Sequence, residues 1–504
     1  MAAPVDVVET KVVSASLFKN GYAVVLREAP LGGRDEVFVQ GLPQASLGTL
    51  WLTASEGVTL KDVVYVQRET ETEANAQSLD EILRANVGRD VSLQLSGKPG
   101  PWGTILSVDG NIVVLKEKVP YLGDVLQIRA VQRSSITGVS ATTEQGELIW
   151  KLKRKKRSPA IHVRAEGPAD AKLFILSLER GITWSPSYAL DISDDETLTI
   201  SGKAIIINDL ADLDGIEVRL ITGFPNILYR AAAEPLTSGQ SVDQFVQALL
   251  SVSRQAGLGG MPGAALAQNV ARSADFGAPF RPSGLPGLEA EDLFFYRQPD
   301  VRLKKGERGY FFLFQSESNY EHVYTWDVAD PMAASERYTG MPETRGDVWH
   351  SLKFENNSEQ PWTTAPAITV KNGEILGQDM LSYTSKEAEA LVRITKALGV
   401  EAEVFEEETG RKLNELAPRG YGSYDLVTIK GTMRVLNRKS DNIKLKITRT
   451  LTGELISADG DPEVKKIVQG IRRVNPRSRL VWELPLKAGE AVSVTYHYKV
   501  YVRR

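Results

Sequence analysis

The sequence predicts a mainly β, multi-domain protein: antiparallel β-sandwiches plus a small SH3-like barrel, with few short helices and a flexible insert. Three observations lead to this fold class. Apolar and polar residues alternate along many segments, as they do in strands that bury one face. Asn-Gly and Asp-Gly pairs, which favour tight hairpins, separate several of these segments. A chain of 504 residues is also too long for a single core and implies several domains.

The N-terminal segment, residues 1–75, predicts a small β domain. Asn20-Gly21 stands between the apolar segments 16–18 and 22–26, which is the arrangement of a hairpin. The alternation continues after this hairpin, so we expect the whole domain to be built from strands.

Residues 76–140 predict the SH3-like barrel. Ser78 and Glu81 form a capping-box pattern that starts a short helix, which ends near Gly88. Strand segments follow, with a hairpin turn at Asp109-Gly110. Further strands near 125–138 complete a compact five-stranded domain.

The central domain, residues 141–340, carries an insert at 231–290. Ser241 and Gln244 form a second capping box, and an apolar stripe at helical spacing follows it. Residues 257–287 are rich in Gly, Ala and Pro, which predicts a flexible segment. The stripe must be buried on its own domain or, because that segment gives it reach, against another subunit or partner protein. The residues of the stripe are Val242, Phe245, Val246, Leu249 and Leu250.

Residues 341–504 predict a C-terminal antiparallel sandwich. Val492, Val494 and Tyr496 alternate with polar residues in the last segment, which indicates a strand with one solvated face. The segment 487–490 separates this strand from the apolar segment 480–484, an arrangement that predicts a hairpin.

Composition excludes several classes of site. The chain has no cysteine, which removes disulfides, thiolate metal sites and cysteine nucleophiles. Its formal charge of -4 argues against sequence-specific nucleic-acid binding, because such proteins carry a strong basic excess. No apolar run reaches the ~20 residues of a membrane span, and the first residues show no signal-peptide pattern.

The run Lys151–Arg157 concentrates positive charge and lacks the interleaved aromatic residues that stack on bases. Such a run suits an anionic polymer or an acidic lipid surface. A solvated edge strand or linker, protected from aggregation by lysine, is the favoured interpretation. The candidate residues for contact with an anionic polymer are Lys153, Arg154, Lys155, Lys156 and Arg157.

No motif for catalysis, for a metal or for a cofactor is found, so no residue is assigned any of these roles. His322 has Glu321 and Asp327 near it in sequence, and imidazole with carboxylate suits metal binding or acid–base chemistry. Alternation along a strand would place these neighbours on different faces, which disfavours a site.

Trp184, Tyr188 and Trp482 are the aromatic residues that would suit a carbohydrate-stacking platform. Aromatic residues in a sandwich more often anchor the core, and we favour that interpretation.

The segment 181–190, followed by 198–204 and Asn208, resembles the signature of bacterial mucoidy-inhibitor-like proteins. The turn 304–307, Trp482 with the turn 488–490, and the opening segment 15–21 are similar to the other landmarks of that family. The resemblance implies a β-rich C-terminal domain of unknown function. The chain departs from the family in two ways: a barrel-like segment replaces the usual coiled coil, and the insert is longer and more apolar.

These observations favour a non-enzymatic structural or interaction protein, oligomeric, that acts through protein–protein contacts. Its expected partner is a second copy or another protein, bound through residues 239–290, and an anionic polymer or membrane surface is a further candidate. The alternative is an envelope hydrolase or carbohydrate-binding protein whose site is built from inter-domain loops. A periplasmic or extracellular mature chain is favoured, with a cytoplasmic location as the alternative.

Overall fold

The computed structural model describes residues 5–118, 125–141, 147–223, 227–255, 289–290, 293–328, 330, 345–417, 422–468 and 474–503. Most of these residues are in strands and the helices are short, so the predicted mainly β fold class is confirmed. No helix in this part of the chain is long and apolar enough to cross a membrane. The stretch predicted to be flexible, 257–287, lies outside the described residues.

The elements are numbered in chain order. Those of the first part are β1 (Val7–Glu9), β2 (Lys11–Leu17), β3 (Tyr22–Pro30), β4 (Glu36–Gln40), β5 (Trp51–Ala54), β6 (Thr59–Asn75), α1 (Leu79–Ala85), β7 (Asp90–Leu95), β8 (Lys98–Asp109), β9 (Ile112–Lys118), β10 (Leu126–Gln132), a 3₁₀ turn (Arg133–Ser135) and β11 (Ile136–Ser140).

The middle part contains β12 (Lys151–Glu166), β13 (Lys172–Arg180), β14 (Ile182–Asp191), β15 (Thr197–Asn208), β16 (Leu213–Thr222), α2 (Pro235–Ser238), α3 (Val242–Gln255), β17 (Glu289–Ala290), β18 (Leu293–Leu303), β19 (Arg308–Val328) and β20 (Arg345–Gly346). The last part contains β21 (Trp349–Glu355), β22 (Ala365–Lys371), β23 (Glu374–Leu381), β24 (Glu389–Lys396), β25 (Val400–Leu416), β26 (Tyr424–Asn437), β27 (Ile443–Thr452), β28 (Glu454–Ala458), β29 (Glu463–Val468), β30 (Arg477–Leu486) and β31 (Ala491–Arg503).

The chain divides into two units, and it passes from one to the other within β2, β3 and β13. The described residues of unit 1 come from Met1–Lys11, Arg27–Ser177 and Leu228–Phe280. Those of unit 2 come from Val12–Leu26, Leu178–Ile227 and Arg281–Arg504. The four domain ranges expected from the sequence stay predictions.

Unit 1 contains a four-stranded sheet in the order β1-β4-β12-β6. β4 pairs with β12 at residues 161–164, whereas β6 pairs with β12 along its whole length. The residues 66–75 and 151–160 therefore form a two-stranded ribbon that leaves the sheet. Val39, Ile161 and Leu173 belong to the core of this sheet.

A small module, made of α1 and the five strands β7 to β11, lies at the end of this ribbon, where Ala76 N donates to Trp150 O (2.8 Å). Its strand order is β10-β9-β8-β7-β11. The predicted five strands are present, but the predicted barrel is not closed, because no ladder joins β10 to β11 in the described chain. The 3₁₀ turn of three residues joins these two strands directly, so the sheet is curled enough to bring the end of β10 near the start of β11 although no ladder forms between them.

The local turn and cap predictions in this part of the chain are confirmed. Gly21 and Gly110 have φ angles of +86° and +54° at the tips of the β2–β3 and β8–β9 hairpins, a conformation that favours glycine. At the start of α1, Ser78 Oγ accepts from Glu81 N (3.2 Å), and the Glu81 carboxylate accepts from Gln77 N (2.7 Å).

Unit 2 is built from sandwiches whose sheets are mostly antiparallel but not wholly so as predicted, because β14 with β22, β16 with β2 and β19 with β27 pair in parallel. β19 contributes to more than one ladder. β19 pairs with β15 along residues 308–319, with β21 along 320–325 and with β27 along 323–328. The five-stranded sheet β20-β25-β26-β31-β28 faces the ladder of β27 with β30 across a shared core that contains Trp326 and Trp482. A separate core contains Trp184 and Trp362.

The hairpin predicted at 487–490 is wrong. β30 pairs with β27 and β29, while β31 pairs with β26 and β28. Trp482 of β30 and Tyr496 of β31 are buried in the same core. Because β30 and β31 belong to different sheets and both bury side chains in this core, the chain here crosses the sandwich.

Three buried asparagines hold the ends of strands in unit 2. Asn208 ends β15, Asn356 follows β21 and Asn437 ends β26, and the exposed fraction of each is 0%. Each Oδ1 accepts from the backbone N–H two residues later, and each Nδ2 donates to carbonyl oxygens of two segments. The amides thus satisfy buried backbone groups where the chain leaves a strand.

Two of these asparagines contact Lys-x-Gly-Glu turns. Asn208 N donates to Glu307 O (3.1 Å), and Asn437 N donates to Glu490 O (2.9 Å). In each turn the glutamate carboxylate accepts from the backbone N–H of the lysine three residues earlier. Asn208 and the turn 304–307, noted separately in the sequence, are therefore in direct contact.

We expect Asn356→Ala to lower the free energy of unfolding by about 3 kcal/mol, because the carbonyls of Gln360 and Thr384 and the N–H of Ser358 lose a buried partner. The adjacent Asn357 is exposed and provides a matched control, whose replacement by Ala should cost no more than about 0.5 kcal/mol. Urea unfolding followed by tryptophan fluorescence measures both, and equal losses would contradict the assignment.

Candidate protein-interaction surface

The helix predicted in the insert is present as α3, and its capping box is formed. Ser241 N donates to Gln244 Oε1 (3.0 Å), and Gln244 N donates to Ser241 Oγ (3.3 Å). The helix therefore begins where the sequence predicts.

The apolar stripe of α3 is divided between buried and exposed positions. Leu249 is 3% exposed and packs with Leu47 of the same unit, and Phe245 lies against this cluster. Val242 is 78% exposed, and Val246 one turn later is also exposed. Half of the stripe thus packs on its own unit, and binding of a partner by the stripe stays a prediction.

The basic run lies on β12 in the ribbon, where its charges meet glutamates across the ladder. Arg157 Nη2 is 2.7 Å from the Glu69 carboxylate, and Arg154 Nη2 is 2.8 Å from that of Glu81. The side chain of Lys156 lies outside the described part of the structure. These glutamates reduce the field of the run, and its binding of an anionic polymer stays a prediction. The residues directly opposite are Lys153 and Glu73, Lys155 and Glu71, and Arg157 and Glu69.

The three aromatic residues considered for a carbohydrate platform are core residues, as favoured from the sequence. Trp184, Tyr188 and Trp482 are all fully or almost fully buried. Each polar atom is satisfied by a backbone carbonyl: Trp184 Nε1 donates to Ile221 O, Tyr188 Oη to Thr363 O and Trp482 Nε1 to Asp459 O. No face of these rings is open to a sugar.

A groove of about 440 Å³ in unit 2 is lined by lysines, glutamates and aliphatic residues. Lys353 Nζ is 2.7 Å from the Glu389 carboxylate. Glu321 accepts from Lys444, and this hydrogen bond holds the pKa of the Glu321 carboxyl below its ordinary value. Each carboxylate that lines the groove lies within ion-pair distance of a lysine, so the groove presents compensated charge to a ligand.

Two histidines far apart in the sequence meet in unit 2. The pairing of β19 with β21 places Tyr324 opposite His350, and His322 is therefore a diagonal neighbour of His350. His350 Nε2 lies 2.9 Å from His322 Nδ1, and the ring of Tyr324 stacks on His350 with the centroids 4.8 Å apart. Burial lowers the pKa of both imidazoles, that of His350 to about 4. At neutral pH, one neutral ring donates its N–H to the other.

The carboxylates near His322 in sequence do not join this pair. Glu321 and Asp327 lie an odd number of residues from His322 along β19, so their side chains are on the other face of the strand. Asp327 pairs with Arg393. No group of three or more potential metal ligands occurs within the described ranges. The two histidines form a hydrogen-bonded pair. Sequence reasoning missed it because only the strand register brings the two residues together.

The small module presents an apolar face to solvent. Val113 and Leu115 of β9 are buried in its core, so the residues that alternate with them point away from it. The register places Thr104, Lys116 and Ile128 in one row across β8, β9 and β10. Ile128 is 73% exposed. The apolar residues of this face, called the apolar face below, are Trp102, Ile112, Val114, Leu126 and Ile128, and Lys116 and Lys118 of β9 lie on it beside Ile128 and Leu126.

Sequence reasoning did not single out this face, although one signal for it exists. The segment 112–115 is a continuous apolar run of four residues, which is typical of strands buried on both faces. The module covers only the face that contains Val113 and Leu115. The outer face carries apolar side chains that are exposed among the described residues of unit 1.

No protein-family model matches this chain, and no curated protein matches it either. The resemblance to mucoidy-inhibitor-like proteins therefore stays a prediction that depends on the short segments around Trp184 and Asn208.

The histidine pair predicts a loss of stability in acid. Unfolded His350 takes up a proton near its ordinary pKa of ~6.5, whereas the folded residue does so only near pH 4. The unfolded state therefore binds more protons in this window, and the free energy of unfolding falls as pH drops through it. Nearby Lys371 and Lys439 favour neutral imidazoles, while Asp195 opposes this at His322.

As the pH falls through that window, we expect the free energy of unfolding to drop by about 2 kcal/mol more in the wild-type protein than in His350→Asn. The full pKa shift would give a larger difference, but solvent screens the half-exposed pair. Urea unfolding at several pH values measures the difference. His497→Asn, on the face of β31 opposite Tyr496, is the control and should keep the wild-type pH dependence. The same dependence in His350→Asn would show that the pair does not titrate in this way.

Proposed function

We propose that this chain is a non-enzymatic interaction protein that acts through protein–protein contacts, first of all between copies of itself. The observation that carries the proposal is the exposed apolar face of the small module. Large apolar side chains that adjoin one another on a surface mark binding sites. Burying such a side chain completely is worth about 1.5 to 3 kcal/mol, and because these side chains are already partly buried, a second protein that covers the face gains a part of this free energy for each.

The module is held firmly, which favours a defined binding geometry. Asn86 is completely buried, and its Nδ2 donates to Ile82 O and Ile149 O at 2.8 Å. Its Oδ1 accepts from Ile149 N (2.9 Å). The ion pair of Arg154 with Glu81 adds a second contact, which joins α1 to β12. A surface fixed in this way loses little conformational entropy on binding.

The ribbon gives the module distance from the four-stranded sheet of unit 1. The pairing of β12 with β4 stops at Ile161. Beyond this point β6 and β12 alone form ten more residue pairs, from 66 with 160 to 75 with 151. The surface of the ribbon carries opposed lysine, arginine and glutamate side chains, so it is poorly suited to an apolar interface. The apolar face of the module is better suited to an interface that excludes water.

Replacing Ile128 by Asp places a charge on the edge strand of the face without disturbing a core, because this side chain is mostly exposed. We expect light scattering to give a mass above that of one chain for the wild-type protein, rising with concentration, and the mass of one chain for Ile128→Asp. Leu398→Asp is the matched control: Leu398 is 92% exposed in the turn after β24, and its replacement should leave the wild-type mass.

A wild-type protein that stays at the mass of one chain at every concentration would overturn the proposal. So would equal masses for the wild-type protein and Ile128→Asp. If Ile128→Asp instead abolished binding to vesicles of anionic lipid, with no change in mass, the face would belong to a membrane contact.

A further inference from the structure

We infer that copies of this chain join through β10, which pairs antiparallel with β10 of a second copy about a two-fold axis at Ile128. This inference rests on the proposed function and names its partner strand. β10 is the last strand of its sheet, and it pairs with β9 along all seven residues, from Leu126 opposite Lys118 to Gln132 opposite Ile112. No strand in the described ranges pairs with its other edge.

Natural proteins protect edge strands by charge, proline, bulges or cover. The register of β10 with β9 has no bulge, and its sequence contains no proline and one charged residue, Arg129. Arg129 lies 3.5 Å from the Glu117 carboxylate on the face opposite Ile128. β10 therefore has neither a proline nor a bulge, and its single charge is paired with Glu117.

Three other edge strands in the described part of the chain carry such protection. β25 has the acidic run 406–408 beyond its two-residue contact with β20. β29 carries Lys465 and Lys466. β23 lies against β24, where Arg393 N donates to the Asp379 carboxylate (2.9 Å). This contrast singles out β10 as the edge open to another strand.

Side-chain chemistry selects the register of the pair. A two-fold axis normal to the sheet places residues of the same face opposite each other, so the centre must fall on a residue. With Ile128 at the centre, Ile128 meets its own copy, Leu126 meets Ala130 and Gln127 meets Arg129. A centre at Arg129 would place two guanidinium groups opposite each other, which destabilises the pair. A centre at Gln127 would shorten the ladder and place Arg129 opposite Val125.

This arrangement is isologous and therefore closes at two copies. The five-stranded sheet continues from one copy into the next, so the two apolar faces become one larger surface on the same side. Backbone hydrogen bonds supply the contact along β10, and Leu126 and Ile128 gain side-chain contacts with their counterparts across the new ladder.

The absence of cysteine makes the register directly testable. Opposite residues in an antiparallel ladder have Cα atoms about 4.5 to 5.5 Å apart, which suits a disulfide. We would introduce single cysteines at Leu126, Gln127, Ile128 and Arg129 in the full chain and follow disulfide dimers in a glutathione redox buffer. Cysteine behaves as a small hydrophobe at these positions, so the pairing should survive the substitutions.

We expect Ile128→Cys to form a covalent dimer at least about tenfold faster than Leu398→Cys, the control for random collision, because paired strands raise the effective concentration of the two sulfurs. Leu126→Cys mixed with Ala130→Cys should give a heterodimer, whereas Leu126→Cys alone should react no faster than the control.

A maximum at Gln127→Cys or Arg129→Cys would overturn the inferred register. Rates equal to that of Leu398→Cys at every position, while Ile128→Asp still lowers the mass, would overturn strand pairing and leave the proposed function standing. Rates equal to the control together with no effect of Ile128→Asp would overturn both.

Discussion

The fold depends on buried asparagine amides that satisfy the backbone where strands end. At Asn208, Asn356 and Asn437 one side chain replaces the hydrogen bonds that a chain loses when it leaves a ladder inside a core. A sandwich needs this, because its chain must cross between sheets without exposing backbone groups to apolar surroundings. Apolar side chains of similar size would leave several donors and acceptors unsatisfied at each of these positions.

The same chemistry links the fold to the proposed function. The Asn86 side chain bonds both to the end of α1 and to Ile149, in the segment between β11 and the ribbon. It holds the module to its ribbon in the same way that the other three amides hold the ends of strands. The module has one sheet and a short helix to cover it. One face of that sheet is buried, and the other carries Trp102, Ile112 and Ile128 to solvent. The proposed interaction depends on these two features together, the rigid support and the exposed apolar side chains.

Much of the fold could be predicted, because strands, hairpins and caps depend on residues close in sequence. The alternation at 492–502, Asn20-Gly21 and Ser78 with Glu81 all acted as predicted. Contacts that depend on pairing between strands far apart in the sequence could not be predicted from it. His322 and His350 meet only through the register of β19 with β21, and the glutamates opposite the basic run meet it only through that of β6 with β12. The turn at 487–490 was misread because a hairpin and a crossing between sheets share the same local pattern.

Amide hydrogen exchange at low and high protein concentration tests the central claim most directly, because it reports on β10 in the unaltered chain. The account predicts that those amides of residues 126–130 that point away from β9 exchange more slowly as the concentration rises, while those of the exposed turn around Leu398 do not change. Exchange along β10 that is equally fast at all concentrations would contradict the claim that this module is where copies of the protein meet.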